Sequence, residues 1–324
     1  MESPVSTNKA HPSRRWQLTS EVGIGFALIV ELIVFSILSP HFLTTENLLN
    51  VSLQVSITAI IAAGMTFVIL TGGIDLSVGS LLALAGILTT DAMKLPFPIQ
   101  VSFPLALLVG LFVGALSGGL AGALITRFNI TPFIVTLSLM TVWRGVAFVY
   151  TEGRPIWELP DAFAVLGSGR MLGIPIPSII MIVVFIVSHI VLTKTRFGRH
   201  VYAVGGNKEA ARLAGIRTDK VLVQVYMVCG LLSALSGILL ASRMNSGQPN
   251  TGVGYELDVI AAVVAGGTSL FGGRGSIVGT FIGAMLIAVL RNGLNLLNVG
   301  SYVQQVIVGV VILLAVMTER WRRT

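Results

Sequence analysis

Residues Val51–Ala92 read VSLQVSITAIIAAGMTFVILTGGIDLSVGSLLALAGILTTDA. Two apolar runs, Val51–Leu70 and Leu76–Ala92, flank Gly72-Gly73 and the acid Asp75. Each run is close to the ~20 residues that carry a helix across the ~30 Å hydrocarbon layer of a bilayer. Neither run alternates with a polar face, so neither fits the surface of a water-soluble domain. The Gly-Gly break with its acid predicts a discontinuous helix. Irregular backbone at membrane depth is tolerated only where protein covers it or water reaches it.

The remaining sequence repeats this pattern. The 324 residues are 54% hydrophobic and 11% charged, and the mean hydropathy is +0.89. A soluble domain carries about 25% charged residues. Further apolar runs cover Val22–Leu38, Phe103–Ile125, Phe133–Tyr150, Ile176–Leu192, Val221–Ala241, Leu257–Ala265, Ile277–Leu290 and Tyr302–Met317. The fold class expected is therefore all-α: a polytopic membrane protein with about ten transmembrane helices, some discontinuous. Residues 22–318 form the membrane domain, with tails at 1–21 and 319–324. The first run follows a polar, basic start and lacks a small-residue cleavage site, so it reads as an uncleaved span. A second Gly-rich break, GGTSLFGGRGSIVGT at Gly266–Thr280, aligns locally with the first. Gly272-Gly273 and Val278-Gly279 match Gly72-Gly73 and Val78-Gly79, a trace of internal duplication. Paired broken helices in the two halves of a transporter mark its pathway.

Charge orients the chain. The longest polar segment, Lys194–Lys220, carries seven Lys or Arg against Glu209 and Asp219. With Lys9, Arg14, Arg15, Arg127, Arg274 and the C-terminal arginines, it falls on one side of the expected spans. Lys94, Arg154, Arg170, Arg243 and Arg291 fall on the other. The bias predicts that both termini and the central loop are cytoplasmic. Thr151–Pro175 is then the longest external loop. Within the central loop, Asn207 reads as an N-cap, Glu209 suits the positive end of a helix dipole, and Gly215 suits the left-handed residue that ends a helix. The short helix so defined, showing Ala210, Ala211 and Leu213, either docks on another protein or merely connects two spans.

The net charge of +7 invites a nucleic-acid reading. No long basic face supports one, because the Lys and Arg flank spans. The single cysteine, Cys229, and four unclustered histidines leave no disulfide framework and no metal site. No nucleophile–base set stands out, so neither a catalytic residue nor a cofactor is expected. Gly267–Gly272 has the spacing of a phosphate-binding loop. Gly273-Arg274 follows where Lys-Ser or Lys-Thr is required, so the chain has no ATPase motif of its own. Asp75, with Thr71, Gly72, Gly73 and Ser77, either meets a hydroxylated solute or caps a half-helix. Asn292 and Asn295 belong to an amide-rich cluster that faces solute or solvent. Glu31 and Arg144 are the ionisable groups inside spans. Arg144 either has a structural partner such as Glu256 or Asp258 or contacts the solute. The Gly110, Gly114, Ser117, Gly118 and Gly122 series reads as close helix packing.

ITAIIAAGMTFVILTGGIDLSVGSLLALAG, GRHVYAVGGNKEAARLAGI, GQPNTGVGYELDVIAAVVAGGTSLFGGRGSIVGTFIGA and NGLNLLNV resemble the ribose-type permeases of ATP-binding-cassette importers, from about Ile33 to Met317. The resemblance implies a monosaccharide importer of the bacterial inner membrane that works by alternating access. Its implied partners are an ATP-binding subunit, a periplasmic sugar-binding protein and a second permease copy, in a lipid bilayer. It also implies that Gly198, Arg199, Gly205, Gly206, Asn207, Ala210, Ala211 and Gly215 form the cytoplasmic segment that contacts the ATPase. Branched-chain amino acid permeases are similar in architecture, but the TGGIDLSVG form is closer to the sugar branch. A proton-coupled secondary transporter, with Glu31 or Asp75 as carrier, is the competing class.

Overall fold

A computed structural model describes residues 14–321. The tails expected at 1–21 and 319–324 lie in part outside the described residues. The elements in chain order are α1 (Arg14–Leu38), α2 (Thr45–Leu70), α3 (Val78–Ala92), α4 (Ile99–Phe128), α5 (Pro132–Thr151), α6 (Asp161–Ser168), β1 (Arg170–Met171), β2 (Ile174–Pro175), α7 (Ile176–Lys194), α8 (Arg196–Gly206), α9 (Lys208–Leu213), α10 (Thr218–Met244), α11 (Tyr255–Ala265), α12 (Ile277–Leu296) and α13 (Ser301–Trp321). Among the described residues, six helices are long and apolar enough to cross a membrane: α2, α4, α5, α7, α10 and α12. Three more apolar segments are shorter. The architecture is all-α and polytopic. The ten apolar runs each fall on a helix, but these are unequal in length. At ~1.5 Å per residue, the 15 residues of α3 and the 11 of α11 reach only about 22 and 16 Å.

Two helices sit at the centre. α2 and α10 are apolar on all faces and are the most deeply buried of the long helices. α10 packs against α2, α3 and α4. Lipid offers no hydrophobic drive for helix association, so these contacts depend on close backbone approach. The small residues supply it. A Cβ built on Gly114 would lie 2.5 Å from the Gly230 carbonyl oxygen, and one on Gly122 would lie 2.6 Å from Val223 Cα. Gly118 sits against the Tyr226 carbonyl in the same seam. The opposite face of α4 turns Leu108, Phe112 and Leu116 outward, each at least 60% exposed in the isolated chain. That division of small inside and large outside is what a lipid-facing helix requires.

The segment expected as the longest external loop has structure of its own. α6 and the β1–β2 hairpin occupy it. Phe163 of α6 is fully buried, its carbonyl accepts a hydrogen bond from the Ser242 hydroxyl, and Ile156 pairs with Gly247. The segment thus seals one end of α10.

Candidate functional site

Both Gly-rich breaks are real interruptions. α2 ends at Leu70, and seven residues, Thr71–Ser77, precede α3. Gly72 adopts φ +78°, which only glycine takes at little steric cost. α11 ends at Ala265, and the Gly266–Ser276 segment leads into α12, with Gly267, Gly272 and Gly273 at φ +84°, +81° and +74°.

The central basic segment joins them. Thr195 caps α8 by accepting from the Gly198 N–H at 3.2 Å. Asn207 caps α9, its Oδ1 accepting from the Ala210 N–H at 2.9 Å. Gly215, at φ +84°, closes α9 with paired turn bonds from Gly215 N to Arg212 O and from Ile216 N to Ala211 O. The C-terminal glycines of α8 lie on both breaks. The Gly273 N–H donates to the Leu70 carbonyl at 2.8 Å. A Cβ on Gly272 would lie 2.9 Å from both Gly205 O and Gly72 N, and one on Gly205 would lie 2.7 Å from Gly273 N. The Tyr202 hydroxyl donates to Gly275 O at 2.8 Å, and Phe197 stacks on Phe67 at 6.2 Å. Three glycine pairs far apart in sequence therefore meet at one junction, at one end of α2, α11 and α12.

The individual side chains divide. Gly206, Asn207, Ala210 and Gly215 are exposed, as is Arg199, while Gly198 and Ala211 are buried. Ala211 thus faces its own chain, and Leu213, 88% exposed, is the apolar side chain that α9 presents. Asp75 is buried, and its Oδ1 accepts from Ser77 N (2.9 Å) and Ser77 Oγ (2.6 Å). The N-cap of α3 is Ser77, so Asp75 does not occupy the capping position. It forms a tight turn from two residues before it. Cys229 and Tyr226 of α10 are its polar neighbours. Its Oδ2 and the Tyr226 hydroxyl are buried without a hydrogen-bond partner among the described residues. The Thr71 hydroxyl closes on its own helix, donating to Val68 O at 2.8 Å.

The amide cluster is internally partnered. Asn292 and Asn47 exchange hydrogen bonds of 2.9 Å in both directions, and the Gln304 amide donates to Asn295 Oδ1 at 2.7 Å. Arg144 is satisfied by backbone, donating to the carbonyls of Pro249 (2.6 Å) and Thr251 (2.7 Å). Of its expected partners, Glu256 acts on it electrostatically, but Asp258 is engaged elsewhere, with Arg291 at 2.5 Å. Glu31 lies on α1, which packs on α12, and its Oε2 is buried without a hydrogen-bond partner among the described residues. No group of three or more potential metal ligands occurs among the described residues.

Sequence comparison agrees with this architecture. Residues 47–316 match the family model described as branched-chain amino acid transport system / permease component. The ribose import permease protein RbsC of Escherichia coli (strain K12) is 49% identical over 323 residues, covering 98% of this chain and 99% of that protein. RbsC of Bacillus subtilis (strain 168) is 50% identical over 302 residues, covering 93% and 92%. The L-arabinose permease AraH of Azospirillum brasilense is 39% identical over 308 residues, covering 95% and 90%. No solved structure matches. The chain belongs to this permease family and, within it, to the ribose-type permeases of ATP-binding-cassette importers.

Proposed function

We propose that the chain carries ribose or a similar monosaccharide through the bacterial inner membrane. It acts as one of two identical permease copies, with an ATP-binding subunit beneath α8–α9 and a sugar-binding protein at the opposite mouth. The observation that carries the reading is near-full-length identity of about one half with ribose import permeases. The distribution of Lys and Arg supports cytoplasmic termini and a cytoplasmic α8–α9 segment.

The mechanism follows from the junction. A push on the exposed face of α9 reaches α8, and Gly205 bears on the end of α2 and on Gly273. Both broken segments would move with it. Alternating access then needs only that nucleotide and sugar bind the two arrangements of the bundle with different affinity. Thr71, Gly72, Gly73, Asp75 and Ser77 are the part of this path closest to the junction in sequence. Asn292 and Asn295 would act by holding α12 in place.

The test is uptake of labelled ribose into liposomes holding this chain with its ATP-binding subunit and binding protein. ATP-dependent uptake that survives an uncoupler is expected. Uptake by the chain alone that collapses with the proton gradient would replace this reading by proton coupling. Transport of valine but not ribose would move the chain to the amino acid branch.

A further inference from the structure

Helix α5 is held on one side. It packs against α3 and α4, and its buried residues are Val135, Thr136, Leu139 and Ala147. Its other side borders a groove of about 540 Å³ that also runs along the segment leading into α11. Thr141, Arg144 and Phe148 line the groove from α5, and Asn250, Val253 and Glu256 line it from the far wall. Asn250 is exposed, and Val253 is 70% exposed in the isolated chain.

The groove lies at membrane depth. Arg144 stands twelve residues from Pro132 and seven from Thr151, the two ends of α5, about 18 and 10 Å at ~1.5 Å per residue. Its Nη1 donates to the carbonyls of Pro249 and Thr251, so the helix-free backbone between Met244 and Tyr255 reaches the same depth. That backbone is also pinned from behind. A Cβ on Gly252, at φ +71°, would lie 2.6 Å from the Gly79 carbonyl oxygen at the start of α3, and one on Gly79 would lie 2.6 Å from Glu256 Oε2. The chain leaves α10, turns back into the bundle, and starts α11 part-way across it. Arg144 is the positioning residue of this re-entrant segment.

Acyl chains cannot cover such a surface. Irregular backbone at depth must face protein or water, and so must a guanidinium and a carboxylate. By contrast, the outward face of α4 shows Leu108, Phe112 and Leu116 and needs only lipid. An ATP-binding subunit and a sugar-binding protein would sit on the two sides of the membrane, out of reach of the groove. A second copy of this chain reaches it. The groove carries one base and one acid, Arg144 and Glu256. Such a face is complementary to itself across a two-fold axis, where each copy offers its acid to the other's base. A Cβ built on Gly145, beside Arg144, meets nothing within 4 Å, so a partner helix has room to approach.

We infer that the face formed by α5 and the re-entrant residues 245–254 is where a second copy of this chain packs, with water held between the two Arg144–Glu256 grooves. The inference deepens the importer reading by placing its second permease copy, and rests on it.

The test uses the complete importer in membranes, with single cysteines added to a chain whose own Cys229 is buried. Gly145→Cys and Val253→Cys are expected to give linked permease dimers with a short bis-maleimide, and Phe112→Cys, on the lipid face of α4, to give none. Asn250→Cys should react with a charged methanethiosulfonate at least ten-fold faster than Phe112→Cys, because the reactive thiolate forms in water and not among acyl chains. The interface assignment falls if neither Gly145→Cys nor Val253→Cys links, or if Phe112→Cys links as readily. It also falls if Asn250→Cys reacts no faster than Phe112→Cys, which would put this face in lipid. ATP-dependent ribose uptake by the wild-type importer is measured alongside. Its absence overturns the importer reading itself, whereas uptake without cross-linking overturns the interface alone.

Discussion

Gly205 and Gly206 are adjacent in sequence and opposite in consequence. A methyl on Gly205 falls well inside contact distance of the Leu70 carbonyl oxygen and 2.7 Å from Gly273 N, whereas a methyl on Gly206 meets nothing within 4 Å. Ordinary contact begins near 3.4 Å, so Gly205→Ala forces α8 away from Gly273 by at least about 0.7 Å. The methyl wedges beside the 2.8 Å bond from Gly273 N to Leu70 O. Overpacking costs ~1–3 kcal/mol, and orphaning a buried backbone pair costs ~1–3 kcal/mol. The expected destabilisation is therefore ~2–6 kcal/mol. Gly206→Ala has open space and an ordinary negative-φ backbone, and removing glycine's freedom in the unfolded chain is worth ~0.4–1 kcal/mol in its favour. The two variants should differ by more than ~2 kcal/mol in denaturant unfolding of the purified protein in detergent. Reconstituted uptake should fall with Gly205→Ala and persist with Gly206→Ala. Equal unfolding midpoints for the two would refute the glycine junction as a packed joint.

Leu213 is 88% exposed in the isolated chain, so Leu213→Asp should leave stability within ~0.5 kcal/mol of wild type. It should nevertheless lower ATP-driven uptake at least ten-fold, because it places a charge where α9 would dock. Normal uptake would remove α9 from the ATPase contact. Asn47→Leu strands the buried Asn292 amide and should cost ~1–3 kcal/mol, whereas Asn292→Leu leaves the half-buried Asn47 with its bond to Phe42 O and should cost less. The double variant should cost clearly less than the sum, and strictly additive unfolding free energies would contradict the paired geometry.

The helices were legible because the membrane imposes length and apolarity on each one locally. The Gly72-Gly73 and Gly272-Gly273 breaks were legible for the same reason, since glycine pairs interrupt a strong local signal. So were the Asn207 cap and the Gly215 stop, both of which act within one turn of helix. What sequence could not supply was which break meets which segment. The contact of Gly205 with Leu70 and Gly273 joins residues 135 and 68 positions apart. The Arg291–Asp258 ion pair was hidden in the same way. Arg243 and Arg291 read as external charges that set topology, and Asp258 read as one of two candidate partners for Arg144. In the folded chain Arg144 turns to backbone carbonyls, which no sequence pattern marks, and frees Asp258 for Arg291. Ala211 looked like part of the docking face because a six-residue helix gives too little periodicity to tell its sides apart. The glycine spacing around the start of α12 held the usable hint, since it mirrors that around α3.

The position of α10 between α2 and α3 has a consequence for how the protein is made. The break at Thr71–Ser77, with Asp75 in it, is covered by Tyr226 and Cys229, and those residues lie about 150 positions downstream of it. Irregular backbone cannot face lipid. At ~5–20 residues per second of synthesis, this segment leaves the ribosome roughly 8–30 s before its cover does. During that interval it must stay in water or against the insertion machinery, so the first half of the chain enters the bilayer unfinished and is completed from its C-terminal half.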